Sequence, residues 1–160
     1  MRLSLQTDYS LRTLMFLAVH GRRSTVSEVA RFYSISTPHV AKVVHVLARA
    51  GLLRSLRGAG GGIELSRPAE KVSVGEVIRC VEGNMHLLDC VATDGVCVIQ
   101  DFCPLIGVLA EAERRQMDFL DSISISEILP GQKRVEGRLV EQIVPSATSS
   151  KCGSTFRLRS

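Results

Sequence analysis

Three cysteines in the second half of the chain are the residues whose type and spacing best suit chemistry. Cys90, Cys97 and Cys103 are separated by six and then five residues, with Gly95 in the first interval. Three soft thiolates this close together suit an iron–sulfur cluster or another soft metal ion. The spacing differs from the CxxC pairs of zinc fingers. The pattern therefore predicts a metal or cluster site held by the three thiolates.

Buried structural cysteines and a reversible disulfide switch are the alternative interpretations of this loop. A core cysteine usually lies in a periodic apolar segment, as Cys80 does, whereas the loop cysteines lie among acidic and amide residues. The N-terminus lacks the apolar stretch of a secretion signal, so we expect a cytoplasmic chain with reduced thiols. Three thiolates leave one position open for a fourth ligand. The local candidates are His86, Asp89, Asp94 and Asp101, and a residue from elsewhere in the dimer is the alternative.

A helix on each side must position this loop. Residues 74–81 have the apolar spacing of a helix, and a longer helix starts at Pro104 and extends to about residue 122. The positive end of its dipole favours a thiolate at Cys103. Apolar residues recur along the longer helix at intervals of about 3.5 residues, so we expect it to pack against a second copy of the chain. Packing within one chain is the alternative.

The first half of the chain has the pattern of a winged helix-turn-helix. Helical spacing covers residues 8–20, with Asp8 available as N-cap, and a short helix follows at 26–33. A third helix has Thr37 as N-cap, Pro38 at its first position and Gly51 after its end. Strands at 52–56 and 63–66 around a glycine-rich tip predict a β-hairpin wing. The predicted fold class is mainly α with a small β wing, followed by a long C-terminal dimerisation helix.

These elements divide the chain into four parts. We expect a DNA-binding domain at 1–82, a cluster-binding loop at 83–103, a dimerisation helix at 104–130 and a basic tail at 131–160. The tail includes Cys152 and has little periodicity, so we expect it to be disordered.

Charge is distributed unevenly along the chain. Residues 1–71 carry eleven Lys/Arg and four Asp/Glu (+7), residues 72–129 carry three and ten (−7), and residues 130–160 carry six and two (+4). A basic first half favours a polyanionic partner, because neutralising phosphates releases condensed counterions. We expect that partner to be double-stranded promoter DNA. We expect no membrane association, since no apolar run approaches the roughly 20 residues that span a bilayer.

Seven residues are the candidates for DNA contact. A recognition helix needs short polar side chains at its N-terminal end and basic ones farther along. In the wing, glycines let the backbone approach a groove while an arginine enters it. A loop that binds a nucleotide phosphate is the alternative for these glycines, but they lie in neither a GK[ST] nor a GxGxxG motif. The candidates are Ser36, Thr37, His39, Lys42 and Arg49 in the third helix, and Arg57 and Gly60 in the wing.

Four stretches of the chain carry a family resemblance. They are TDYSLRTLMFLA near the start, VLARAGLL after the third helix, RGAGGGIELSRPAEKVSVGEVI, and the three-cysteine loop with the helix after it. Together they resemble the Rrf-two (Rrf2) family of winged-helix regulators, and within it the NsrR group of nitric-oxide-sensing repressors. The resemblance covers roughly residues 1–130.

The resemblance implies a role for each candidate ligand. Cys90, Cys97 and Cys103 would bind the iron–sulfur cluster, either [4Fe–4S] or, as the alternative, [2Fe–2S]. Asp8 would be the fourth ligand, donated by the partner subunit, and Arg12 would orient or pair with that carboxylate. The resemblance also implies a homodimeric repressor, not an enzyme, that releases operator DNA when nitric oxide reacts with the cluster.

Other functions within and outside the family stay open at this point. The family's cluster-biogenesis regulators have a His three residues after the last cysteine, where this chain has Ile106. Its iron-responsive repressors vary in cysteine spacing. Outside the family, the alternatives are a redox thiol switch and an iron–sulfur electron carrier. The chain has neither a flavin or nicotinamide fingerprint nor an evident base–nucleophile pair, which favours a DNA reader.

Overall fold

The computed structural model describes residues 3–58, 60–83 and 85–130. Within those ranges the helices are α1 (Leu5–His20), α2 (Val26–Tyr33), α3 (Thr37–Arg49), α4 (Val74–Glu82) and α5 (Pro104–Ser122), and the strands are β1 (Leu53–Leu56) and β2 (Gly62–Leu65). Short 3-10 turns lie at Ala69–Lys71, Asp89–Val91, Gln100–Phe102 and Ile125–Ile128. The predicted fold class, a mainly helical winged helix-turn-helix, is confirmed.

The C-terminal tail and membrane association are the next two predictions. The predicted tail at 131–160, with Cys152, lies outside the described residues. Among the helices that are described, none has the length and apolar content that crossing a bilayer requires.

The starts of α1 and α3 differ from prediction. Ser4, not Asp8, is the N-cap of α1, because its hydroxyl accepts a hydrogen bond from Thr7 N at 3.2 Å. Asp8 lies inside the first turn, where a carboxylate interacts favourably with the helix dipole. In α3 the N-cap is Ser36, so Thr37 is already helical. Of the two roles left open for Asp8, N-cap or another function, the structure excludes the N-cap, and the Thr37 N-cap prediction was wrong by one residue. Ser4 and Ser36 take the extended backbone conformation that an N-cap needs.

One core joins the helices of the first half. The buried face of α1 includes Leu14 and Phe16, and α3 and α4 contribute Leu47 and Val77, all at most 1% exposed. Ile125, from the turn after α5, is also fully buried there. The chain beyond α5 therefore returns to the core of the first half instead of continuing away from it.

The wing is a hairpin with a third segment beside it. Strand β1 pairs antiparallel with β2, from Leu53 opposite Leu65 to Leu56 opposite Gly62. On the other side of β2, Ser24 N donates to Ile63 O at 3.0 Å, and Ile63 N donates to Ser24 O at 2.7 Å. The turn between α1 and α2 therefore adds a short extended segment to the wing.

Helix α5 is attached to the domain at its C-terminal end. Arg79 on α4 donates two hydrogen bonds to the Asp121 carboxylate, at 2.7 and 2.6 Å. Beyond the helix, Val74 N donates to Ile123 O at 2.8 Å. Within the described part of the chain none of the α5 residues is buried, and Val108 is 64% exposed. Leu120 and Ile123, at the C-terminal end of the predicted apolar stripe, pack against the core of the same chain. The N-terminal part of the stripe stays uncovered, and its role in dimerisation stays a prediction.

The absence of a side chain at Gly75 lets α4 approach Asp121 of α5 closely. A substitution at Gly75 tests this contact. A Cβ at Gly75 would lie 2.9 Å from both the Cγ and the backbone N of Asp121, with Oδ1 closer still. We expect Gly75→Ala to lower the free energy of unfolding by about 1–3 kcal/mol, because the added methyl forces α4 and α5 apart. Urea unfolding followed by circular dichroism measures the change.

The control is the same substitution at Gly107, in α5. Apart from its chain neighbours and the adjacent backbone of α5, no heavy atom of the described residues lies within 4 Å of a Cβ built there. Gly107→Ala should not lower stability, since alanine favours a helix by about 0.5–1 kcal/mol over glycine. Equal losses for the two variants would contradict the account of the α4–α5 contact.

Candidate functional site

The three loop cysteines lie between α4 and α5. Cys90 is in the 3-10 turn Asp89–Val91, Cys97 is exposed, and Cys103 is the N-cap residue of α5. All three are free thiols. In the residues that the structure describes, no three His, Cys, Asp or Glu side chains are placed together to hold a metal ion. The structure thus brings the cysteines into one loop but not to a single point.

Gln100 shapes this loop, and the sequence reasoning did not assign it a role. Its side-chain amide donates to Cys90 O at 3.1 Å and to Thr93 O at 2.7 Å. Its amide oxygen accepts from Val96 N at 3.0 Å. One side chain therefore holds the interval between the first two cysteines. An amide between the second and third cysteines was the only signal in the sequence.

The donor set fits an iron–sulfur cluster chemically. Three free thiols are the soft ligands that such clusters use. Among the described residues, no side-chain capping bond occupies Cys103 at the start of α5, so its Sγ is available there. The loop also exposes apolar side chains, with Val98 97% and Phe102 73% exposed.

The local candidates for a fourth ligand lie in different surroundings. His86 Nδ1 lies 3.1 Å from Glu113 Oε2 on α5, and Leu87 N donates to Glu113 Oε1 at 2.6 Å. The hydrogen bond from Leu87 N, more than the His86 contact, holds the pKa of Glu113 below its usual range. His86 is thus already engaged in tying the loop to α5. The other candidates, Asp89, Asp94 and Asp101, are exposed.

Asp8 and Arg12 are in direct contact on α1. Arg12 Nε lies 2.9 Å from Asp8 Oδ1, and both side chains are partly exposed. The Arg12 guanidinium also lies 5.8 Å from the centre of the Tyr33 ring. Burial raises the pKa of Tyr33 to about 12, so this ring stays neutral beside the ion pair. The pair lies in a groove of ≈ 540 Å³ between α1, α2 and Pro130 that is otherwise mostly apolar.

Glu82 joins the start of α1 to the start of the cysteine loop. It is the last residue of α4, and its carboxylate accepts from the Thr7 hydroxyl and, at 2.7 Å, from Ser4 N. The Thr7 bond first, and then the Ser4 bond, lower the pKa of Glu82. Sequence reasoning missed this contact, because Ser4 and Glu82 are 78 positions apart.

The candidate DNA-contacting residues are all exposed, whereas the opposite face of α3 is buried. At the start of α3, Ser36 Oγ lies 2.8 Å from His39 Nδ1. The His39 ring lies 6.0 Å from the ring of Tyr9, the residue after Asp8. Farther along α3 are Lys42 and Arg49, and at the wing tip are Arg57 and Gly60.

Comparison with known proteins identifies the family. Residues 3–131 match the family model Rrf2, described as an iron-dependent transcriptional regulator. The chain belongs to the Rrf2 family. The match covers all the described elements, from α1 to the turn after α5.

Individual relatives agree with this assignment. The HTH-type transcriptional regulator NsrR of Shouchella clausii is 36% identical over 81% of this chain and 89% of its own. The protein of the same name from Bacillus subtilis is 36% identical over 84% and 94%. The solved structure of T. potens IscR has a TM-score of 0.65 at 26% identity, covering 80% of this chain and 85% of that one. The chain is thus a transcriptional regulator with the winged-helix fold of this family.

Glu82→Gln tests the contact between α1 and α4 through its pH dependence. The folded-state pKa of Glu82 is lowered from 4.5, so its charged form stabilises the fold at pH values above 4.5. That contribution is lost as the pH falls below 4.5 through the folded-state pKa. We expect wild type to be more stable than Glu82→Gln at neutral pH, with the difference shrinking in acid. Thermal unfolding between neutral pH and pH 3 measures it.

Glu70→Gln is the control, since it removes one exposed carboxylate elsewhere in the domain. If the stability of Glu70→Gln differed from that of wild type by the same pH-dependent amount, net charge would explain the effect. That result would contradict the specific contact of Glu82 with Ser4 and Thr7.

Proposed function

We propose that this chain is a homodimeric repressor that carries an iron–sulfur cluster, senses nitric oxide and then releases operator DNA. The observation that carries the proposal is the set of three free thiols in one loop, directly before α5. It is supported by relatives named NsrR that align with more than four-fifths of the chain. A chain of the same fold without these thiols would support DNA binding alone.

Cys90, Cys97 and Cys103 would hold the cluster, with Asp8 of a second copy as the fourth ligand. When bound, a [4Fe–4S] or [2Fe–2S] cluster supplies iron that small molecules such as nitric oxide can reach. A carboxylate is a hard ligand among soft thiolates and is therefore the most easily displaced of the four. Arg12, 2.9 Å from Asp8, would compete for the carboxylate and hold it once it is released.

The contacts around α1 support a route from the proposed cluster site to the proposed DNA-reading surface. Asp8 is in the first turn of α1, and the ring of the next residue, Tyr9, lies beside His39 of α3. Glu82 ties the same turn to the end of α4, where the cysteine loop begins. A coupling of about 1–3 kcal/mol between the two sites would change DNA affinity by roughly 5- to 150-fold.

DNA binding would use α3 and the wing. The exposed side chains at the start of α3 would reach base edges, and Lys42 and Arg49 would reach phosphates. Arg57 would enter a groove from the wing tip. Two copies would read a palindrome with half-sites about 34 Å apart, one turn of the double helix.

Iron-dependent regulation is the second candidate function. The family is described as iron-dependent, and the chain is similar to T. potens IscR. Here the response would be to the presence of iron at the same cysteines, not to nitric oxide. Repeating the binding measurements below under iron limitation distinguishes the two functions.

Cys97→Ala tests the cluster. We expect anaerobically purified wild type to contain iron and inorganic sulfide and to be brown, and the variant to be colourless, because two thiolates do not retain the cluster. Cys80→Ala is the matched control, since Cys80 is a half-buried thiol on α4 outside the loop. Iron and sulfide analysis of both variants decides the matter. Wild type without iron or sulfide would contradict the proposal.

Asp8→Ala tests the fourth ligand. We expect the variant to retain a cluster on three thiolates but to release DNA at a different nitric oxide concentration. Binding is followed by fluorescence anisotropy with a labelled duplex that wild type selects from a random pool. Asp89→Ala removes an exposed loop carboxylate as control. A normal response in Asp8→Ala with an altered one in Asp89→Ala would assign the fourth ligand to the loop instead.

A further inference from the structure

The tip of the wing has a composition that does not by itself specify one conformation. Gly58, Gly60, Gly61 and Gly62 lie between the two strands or at the start of β2. Gly58 and Gly60 have φ values of +94° and +77°, which side chains other than glycine rarely adopt. Glycine loses more conformational freedom on ordering than any other residue. A wing that presents an arginine to DNA at a fixed position therefore needs contacts that hold it.

Arg23, in the turn between α1 and α2, supplies such contacts. Its Nη1 donates to Gly60 O at 3.0 Å, and its Nε donates to Glu64 Oε2 at 3.2 Å. Its aliphatic part packs on Gly62, where an added Cβ would lie 2.9 Å from Arg23 Cγ. The side chain thus spans from β2 to the wing tip. It starts beside Ser24, which is itself hydrogen bonded to Ile63 in both directions.

We infer that Arg23 is a positioning residue for DNA binding, which holds the wing in the conformation from which Arg57 reaches the duplex. The inference rests on the proposed DNA-binding function. Two of the guanidinium nitrogens already donate to the wing, so its hydrogen-bonding capacity is directed into the protein. If the wing took this conformation for only part of the time, the apparent DNA affinity would fall by that fraction.

The competing explanation is that Arg23 contacts a DNA phosphate directly, since its side chain is 42% exposed. Arg22 separates the two explanations because it is adjacent and carries the same charge. The Arg22 guanidinium bonds to Arg23 O at 3.2 Å and to Glu28 at 3.4 Å, and neither acceptor lies in β1, β2 or the loop between them. Arg22→Gln and Arg23→Gln therefore remove the same charge, but only Arg23→Gln removes the contacts with Gly60 and Glu64.

A double-mutant cycle with Arg57 in the full-length chain tests the inference. The probe is the duplex selected by wild type from a random pool. We expect Arg23→Gln to weaken binding by about 3- to 10-fold, but by less than about 2-fold when Arg57 is already alanine. Arg22→Gln should have equal effects in both backgrounds. Equal losses from Arg23→Gln in both backgrounds would indicate a phosphate contact and overturn the inference.

Two further measurements complete the test. Hydrogen exchange of the free protein should be faster in the peptide covering residues 57–64 in Arg23→Gln and unchanged in Arg22→Gln. Arg23→Lys keeps the charge but not the two-point contact, so it should behave like Arg23→Gln. Any one of three results would overturn the inference. They are an unchanged exchange rate of residues 57–64 in Arg23→Gln, full DNA binding by Arg23→Lys, and normal DNA binding by Arg57→Ala. A wild type that selects no duplex would contradict the proposed function itself, and the role of Arg23 with it.

Discussion

Helix α1 contacts α2, α3, α4, β2 and the turn after α5, and the carboxylate of Glu82 binds its N-terminal end. The buried side of α1, with Leu14 and Phe16, packs in the core with side chains of α3 and α4. Its first turn is held by hydrogen bonds from Ser4 and Thr7 to Glu82. Thr7 in this turn is buried, so its hydrogen bond to Glu82 joins the start of α1 to the close-packed interior.

Local chemistry made much of the fold predictable. Pro38, Pro104 and the left-handed Gly51 mark helix ends, and glycines mark the hairpin. Contacts between distant positions were not predictable. The choice of Ser4 over Asp8 as N-cap depends on serine backbone geometry and on Glu82 beside it. A periodic pattern predicts which face of a helix is buried. It does not predict which side chain from another element binds the end of that helix.

In the candidate site too, local features were predictable from the sequence and contacts between distant positions were not. The cysteines were found by type and spacing, and the contact of Arg12 with Asp8 follows from their separation of four positions on one helix. Gln100 acts through backbone groups that only a folded loop brings within its reach. Gathering three thiolates at one point depends on side-chain positions and, if Asp8 takes part, on a second copy. Neither is contained in a single chain's sequence pattern.

The charged and apolar side chains of α5 lie along different sides of the helix, as the proposed dimer requires. Glu111 bonds to both Arg114 and Arg115 within the helix, and hydrogen bonds from these guanidinium groups lower its pKa to about 2. The helix therefore satisfies its own charges along one side, while Leu105 and Val108 stay exposed along another. A second copy that covered this stripe would bring together the acidic halves of two chains. The net charge there repels phosphate, so the duplex would be directed to the basic surface of α3 and the wing.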